Sequence, residues 1–257
     1  VTGTTETAFQ IINETGRGPA VLLCEHASAL IPPEYHGLGL AEEDLHSHAV
    51  WDPGALALAE ALSAALDAPL VAGAVSRLVY DCNRPPEAPS AMPERSERIA
   101  VPGNAGLSPE ARAARVAQVY APFCDAVDRV LAARQAQGTP FALVTLHSFT
   151  PLWHGTPREV ELGLLHDADS RLADAMLDHA AALPHRILRR NAPYGPEDGV
   201  THSLQRHGLR HGLPNVMIEA RNDLLADAAA VEAMADELLT LLRPAFATLG
   251  LTEAHHA

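Results

Sequence analysis

Lysine is absent from the 257 residues, and all 18 basic side chains are arginines. Schiff-base chemistry through a lysine amine is thereby excluded. Cysteine is scarce. Cys24, Cys82 and Cys124 form an odd set with no C-x-x-C spacing, which speaks against a disulfide framework or a zinc knuckle. Cys24 and Cys82 lie in apolar, strand-like runs and read as small buried residues. Aromatics make up only 4% of a chain that is 47% hydrophobic. Alanine supplies much of that apolar content, which favours closely packed helices. No apolar run approaches the length of a membrane span, and no leader-like apolar segment stands near the N-terminus. The chain lacks G-x-G-x-x-G, a P-loop and G-x-S-x-G, so dinucleotides, nucleoside triphosphates and a serine elbow are not expected. A net charge of −14 with no basic stripe speaks against nucleic acid as a partner. The expectation is a soluble, cytoplasmic protein with neither nucleic acid nor membrane as partner.

What is present is organised around apolar runs that end in reactive residues. Val21-Leu22-Leu23-Cys24 runs into Glu25-His26. Phe141 to Leu146 runs into His147-Ser148, and Val216-Met217-Ile218 into Glu219-Ala220-Arg221. Arg77 to Asp81, read as a fourth strand, leads into Asn83-Arg84. Helical patterns separate these runs. Asp52-Pro53 reads as an N-cap followed by proline at the first helical position, with Leu56, Ala59, Leu62 and Leu66 on one face. Further helices are expected at 108–138, 169–182, 200–211 and 224–248, the last kinked or shortened by Pro244. Strands are expected at 69–74, 159–165 and 186–189 as well. Residues 85–106, rich in Pro and Gly, read as a long loop, either a lid or a surface excursion. Strands alternating with helices predict one α/β domain over 20–250, its central sheet mostly parallel or mixed, with helices on both faces. Residues 1–19 read as a loosely attached N-terminal arm and 251–257 as a disordered tail.

In an open α/β sheet the ligand lies at the carboxyl ends of the strands, so these strand ends suggest one shared site. Most of the 14 histidines have no partner in the sequence. His26 and His147 differ because each follows a strand. A catalytic zinc takes three protein ligands and keeps an open position. Two histidines with Asp52, Glu25 or Glu219 would supply them. The other reading makes both histidines hydrogen-bonded core groups. Glu219, directly after a strand, is placed as a general acid/base; the competing reading pairs it with Arg221. Arg77, Asn83 and Arg84 suit a small acidic substrate, because an arginine fork binds a carboxylate bidentately.

Six segments then resemble, in order, the N-formylglutamate amidohydrolase family. They are Cys24 to Ser28, His48 to Ala55, Ser76 to Pro85, Leu146 to Pro151, Asn191 to Tyr194, and Ile218 to Leu224. The resemblance implies a zinc-dependent exopeptidase (phosphorylase/hydrolase-like) architecture, near carboxypeptidases and the aspartoacylase group. It implies Zn2+ or another divalent metal on His26 and His147, and Glu219 as catalytic acid/base. It implies substrate binding by Arg77, Asn83 and Arg84, with Arg221 for a second carboxylate and Ser148 beside them. The wider relatives use His-x-x-Glu, but position 29 is Ala29. The third metal ligand is therefore taken as Asp52, with Glu25 and His48 behind it. The implied reaction is hydrolysis of a small acidic N-acyl amino acid, with N-formyl-L-glutamate as lead substrate. The alternatives are another N-acyl amino acid or short peptide on the same fold, and a non-catalytic dicarboxylate-binding module.

Overall fold

The computed structural model describes residues 8–251. Seven strands form one mixed sheet: β1 (Phe9–Ile12), β2 (Ala20–Cys24), β3 (Leu70–Gly73), β4 (Ala142–Phe149), β5 (Leu162–Leu165), β6 (Leu188–Arg190) and β7 (Asn215–Arg221). Their order across the sheet is β1-β3-β2-β4-β7-β5-β6. The central strands β3, β2, β4 and β7 are mutually parallel. β1 is antiparallel to β3, and β5 is antiparallel to β7. The central strands are continuous apolar runs because both sheet faces are covered. Every residue of β2 and β4 is buried.

Side chains alternate between faces along each strand. Ala20, Leu22 and Cys24 pack with α1 (Ala55–Leu66) and a long C-terminal helix. Val21 and Leu23 face the opposite way, towards Phe123, Val127 and Leu131. Those three belong to α3 (Ala121–Ala136), which continues from α2 (Pro109–Arg115) through a widened turn at Val116–Tyr120. That turn precedes Pro122, whose ring cannot coexist with regular bonding to the preceding turn. On the first face lie α4 (Arg171–Leu177) and α5 (Ala228–Thr248). The layers are thus helices, sheet, helices. No helix of the described residues is long and apolar enough to cross a membrane.

Several local expectations are corrected. Residues 9–12 of the supposed loose arm form the sheet edge, where Phe9 to Ile12 register with Gly73 to Leu70. Residues 1–7 and 252–257, the rest of the arm and most of the tail, lie outside the described residues. Leu251 is buried in the core. Residues 77–79 form a turn and 80–81 are irregular, so no strand forms there; Val79 N bonds back to Ser76 O at 2.9 Å. Asp52 does not cap α1. Gly54 does so at φ 81°, and a Cβ there would meet Leu225 Cβ at 2.5 Å. The expected helix at 169–182 ends at Leu177, with a separate 3-10 turn at Ala180–Ala182, while the expected helix at 200–211 is present over 202–211 as a π turn followed by a 3-10 turn. α5 runs through Pro244 to Thr248. The 85–106 loop contains a short hairpin, Arg95–Ser96 with Ile99–Ala100, and a second hairpin pairs Leu152–Trp153 with Thr156–Pro157.

Candidate active site

β2, β4 and β7 end side by side, and this delivers the chemistry. Glu219 stands opposite His147 in the parallel register of β7 and β4. His26 follows β2 directly. The backbone of Glu25 crosses the end of β3 so closely that a Cβ on Gly73 would meet Glu25 O at 2.3 Å. Glycine at 73 therefore allows the path that aims His26 inward. Asp52 arrives from the segment before α1, its N bonded to His26 O at 3.0 Å.

These side chains meet in a buried triangle. His147 Nδ1 lies 3.2 Å from His26 Nδ1 and 2.9 Å from Asp52 Oδ2, and His26 Nδ1 lies 3.2 Å from that same oxygen. Each imidazole has a carboxylate on its far nitrogen. Asp81 Oδ1 is 2.7 Å from His26 Nε2, and Glu25 Oε2 is 3.2 Å from His147 Nε2. The Glu25 contact is an ion pair without hydrogen-bond geometry. With protons on the far nitrogens, the two Nδ1 lone pairs and Asp52 Oδ2 converge with no hydrogen between them, an arrangement that a cation relieves. A tetrahedral zinc with ligands at about 2.0–2.1 Å sets them about 3.3 Å apart, close to the triangle seen. The donor set fits a divalent metal. Glu25 and His48, the other candidates for the third ligand, stand apart. Glu25 faces the far nitrogen of His147, and His48 bonds Glu97.

The electrostatics agree. Glu25, Asp52, Asp81 and Glu219 are all buried. Burial opposes charge on Asp52, but the His26 imidazole, hydrogen bonds from His147 and His26, and Arg77 outweigh it and hold its carboxyl below the usual range. Asp81 is likewise held well below its ordinary value by His26, Arg77 and Arg84, against the effect of burial. Burial would lower the His147 pKa, yet Glu25 and Asp52 push it well up. The carboxylates that favour a proton on His147 favour a cation in the same place. Arg77 spans the two aspartates, 3.1 Å from Asp52 Oδ1 and 3.1 Å from Asp81 Oδ2. Glu219 behaves differently. Burial pushes its pKa up to about 7, with His147, His26 and Arg77 opposing and Asp52 reinforcing. Its Oε2 has no hydrogen-bond partner among the described residues.

A cavity of about 190 Å³ opens over this cluster. Arg77, Asn83, Arg84 and Ser148 line it together with His26, Asp52, His147 and Glu219. Arg84 Nη1 donates to Asn83 O at 2.9 Å, and among the described residues no carboxylate pairs with its guanidinium. Asn83 is occupied: its Nδ2 donates to Val200 O at 2.6 Å and its Oδ1 accepts from Ser203 N at 2.9 Å. Ser148 Oγ donates to Pro53 O at 2.7 Å, steadying the Asp52 segment. Arg221 does not line the cavity. Its guanidinium bonds Asp223 at 2.8 Å and the Arg158 carbonyl at 3.1 Å, and lies 3.7 Å from Glu161 Oε1. It pairs with neither a substrate pocket nor Glu219. Sequence reasoning assigned nothing to Asp81, Tyr194 or Glu97. Asp81 stood in plain view beside Arg77, but its reach to His26 spans 55 positions.

The family model described as N-formylglutamate amidohydrolase matches residues 18–226. A crystal structure of a gene product from Agrobacterium tumefaciens is similar with 52% identity and a TM-score of 0.93, over 96% of this chain and 97% of that one. A crystal structure of N-formylglutamate amidohydrolase from Ralstonia eutropha JMP134 shares 18% identity and a TM-score of 0.69, over 95% of this chain and 99% of that one. At that identity the likeness speaks for the fold. No curated protein sequence matches the chain. With the family pattern spanning most of its length, the chain belongs to the N-formylglutamate amidohydrolase family, a family of hydrolases.

Proposed function

We propose that the chain hydrolyses the amide of a small acidic N-acyl amino acid, N-formyl-L-glutamate first, to formate and glutamate. We further propose that it uses a divalent metal, zinc foremost, held by His26, Asp52 and His147. One observation carries the reading: a partnerless buried carboxylate, Glu219, shares a small cavity with a three-ligand cluster and an arginine without a carboxylate partner. A bound divalent ion supplies Lewis acidity towards a carbonyl oxygen and lowers the pKa of water.

The protein's own groups do the rest. Arg84 takes the substrate carboxylate in a charge-assisted fork. Asn83 shapes the wall against which that carboxylate rests. Arg77, fixed by Asp52 and Asp81, holds positive charge beside the position where the amide oxygen gains negative charge. Glu219, poised near neutrality, takes a proton from the attacking water and returns it to the leaving nitrogen. Asp81 and Glu25 hold the two imidazoles in orientation. A non-catalytic dicarboxylate trap has no use for Glu219, whose charge would repel such a ligand. Three buried free cysteines fit a reducing compartment, the cytoplasm. The test is metal analysis of the purified protein with a panel of N-acyl amino acids. Stoichiometric metal and selective release of formate from N-formylglutamate are expected. A metal-free protein with full turnover, or no turnover on any member, refutes the reading.

A further inference from the structure

The inner end of the cavity is the histidine cluster, whose side chains are 3% exposed, while His48 is 31% exposed. The outer end is therefore the mouth, and it is framed by His48, Ser96, Glu97 and Trp153. One side chain connects these pieces. Glu97 Oε2 accepts from His48 Nε2 at 3.0 Å, and Glu97 Oε1 accepts from His154 N at 3.2 Å. Glu97 is the first of the two turn residues of the hairpin inside the 85–106 loop, between Ser96 and Ile99. His154 is the first of the two turn residues of the second hairpin, between Trp153 and Thr156. Both turn residues hold positive φ, 51° at Glu97 and 48° at His154, a conformation that costs strain in non-glycine residues. Each strained tip makes its contact with the other. His48 lies on the segment that delivers Asp52, and the second hairpin follows the strand that delivers His147. Three chain segments are thus joined across the mouth by one carboxylate, which is itself 12% exposed.

We propose that Glu97 determines specificity by tying the two hairpin tips and His48 across the cavity mouth, so that substrates longer than the cavity are excluded. This rests on the hydrolytic reading above. With the bridge intact, the space of about 190 Å³ admits a short acyl group on one small amino acid. With it broken, the hairpins separate and a longer acyl chain or an added residue can project outwards. The two bridges are hydrogen bonds to a single side chain, so truncation at 97 removes both together.

The experiment compares the metal-loaded enzyme with its Glu97→Ala and Glu97→Gln variants. The readout is the ratio of kcat/KM for longer substrates, N-butyrylglutamate and an N-formyl dipeptide, to kcat/KM for N-formylglutamate. Glu97→Ala should raise that ratio at least tenfold. Glu97→Gln keeps an oxygen for His154 N and a donor for His48, and should keep the original ratio. Acrylamide quenching of Trp153, in a Trp51→Phe background where it is the sole tryptophan, should rise in Glu97→Ala without any substrate. An unchanged ratio overturns the proposal, whether or not quenching rises. A Gln variant that behaves like Ala also overturns it, because charge and not the bridge would then set the limit. If the unmodified enzyme hydrolyses nothing in the panel, the hydrolytic reading has failed instead. Quenching then decides the tie alone, unchanged quenching in Glu97→Ala refuting it.

Discussion

Replacing Glu219 by glutamine isolates one property of the site. The two side chains are nearly the same size, so packing at the end of β7 should survive, and what disappears is the capacity to take a proton. If Glu219 is the general acid/base, kcat falls by about 10²–10⁴-fold, or about 3–5 kcal/mol of transition-state stabilisation. KM should change little, because the proposed reading assigns the substrate carboxylate to Arg84 and not to Glu219. The same residue predicts a stability effect in the chelator-treated protein. Its pKa stands at about 7 in the folded chain against an ordinary 4.5, chiefly because the buried carboxylate sheds its charge. A raised folded-state pKa gives stability that is complete below the unfolded value and is lost as pH rises through the folded one. Between about pH 4.5 and pH 7 this group therefore withdraws up to about 3 kcal/mol, at about 1.4 kcal/mol per pKa unit. Glutamine cannot ionise and removes that loss. Denaturant unfolding at pH 5 and pH 8 should show the variant gaining on the unmodified chain as pH rises. A variant with kcat within threefold of the original would refute the catalytic role. A stability difference that is flat with pH would refute the assigned burial and charge environment.

Three further outcomes are expected. Asp52→Asn should lower metal affinity steeply with the fold intact; equal stoichiometry and affinity by metal analysis and chelator competition would remove Asp52 from the ligand set. Asp81→Asn keeps the shape beside His26 Nε2 but loses the charge, and metal affinity should drop by about 10–100-fold, read by the same competition; an unchanged affinity would make Asp81 only a partner of Arg77. Arg84→Ala should cost about 2–5 kcal/mol in kcat/KM for a carboxylate substrate and far less for the matching neutral amide; equal losses on both would show Arg84 to be structural.

The sequence by itself determined the inner strands of the sheet and the reactive residues near their ends. A continuous apolar strand is legible because burial on both faces leaves no alternation to confuse it, and β2, β4 and β7 were read on that basis. A polar residue that ends such an apolar run needs no tertiary knowledge to be placed near the carboxyl edge, so His26, His147 and Glu219 could be located there, although β4 and β7 continue through His147 and Glu219 for two further residues. Proximity in space was not legible. Asp52 reads locally as a helix cap, and only the fold turns it inwards, through its N–H on His26 O and through Gly54. Asp81 gains its role from a histidine 55 positions away. Arg221, two residues past Glu219, should share its face by strand alternation, yet its guanidinium is taken up by Asp223 and the Arg158 carbonyl. The 85–106 loop reads as a lid or an excursion alike, because the bond that ties Glu97 to the second hairpin spans 57 positions. Local patterns record the secondary structure and the face on which a residue lies. Which loops return to those strand ends depends on contacts between distant segments, and these only the folded chain decides.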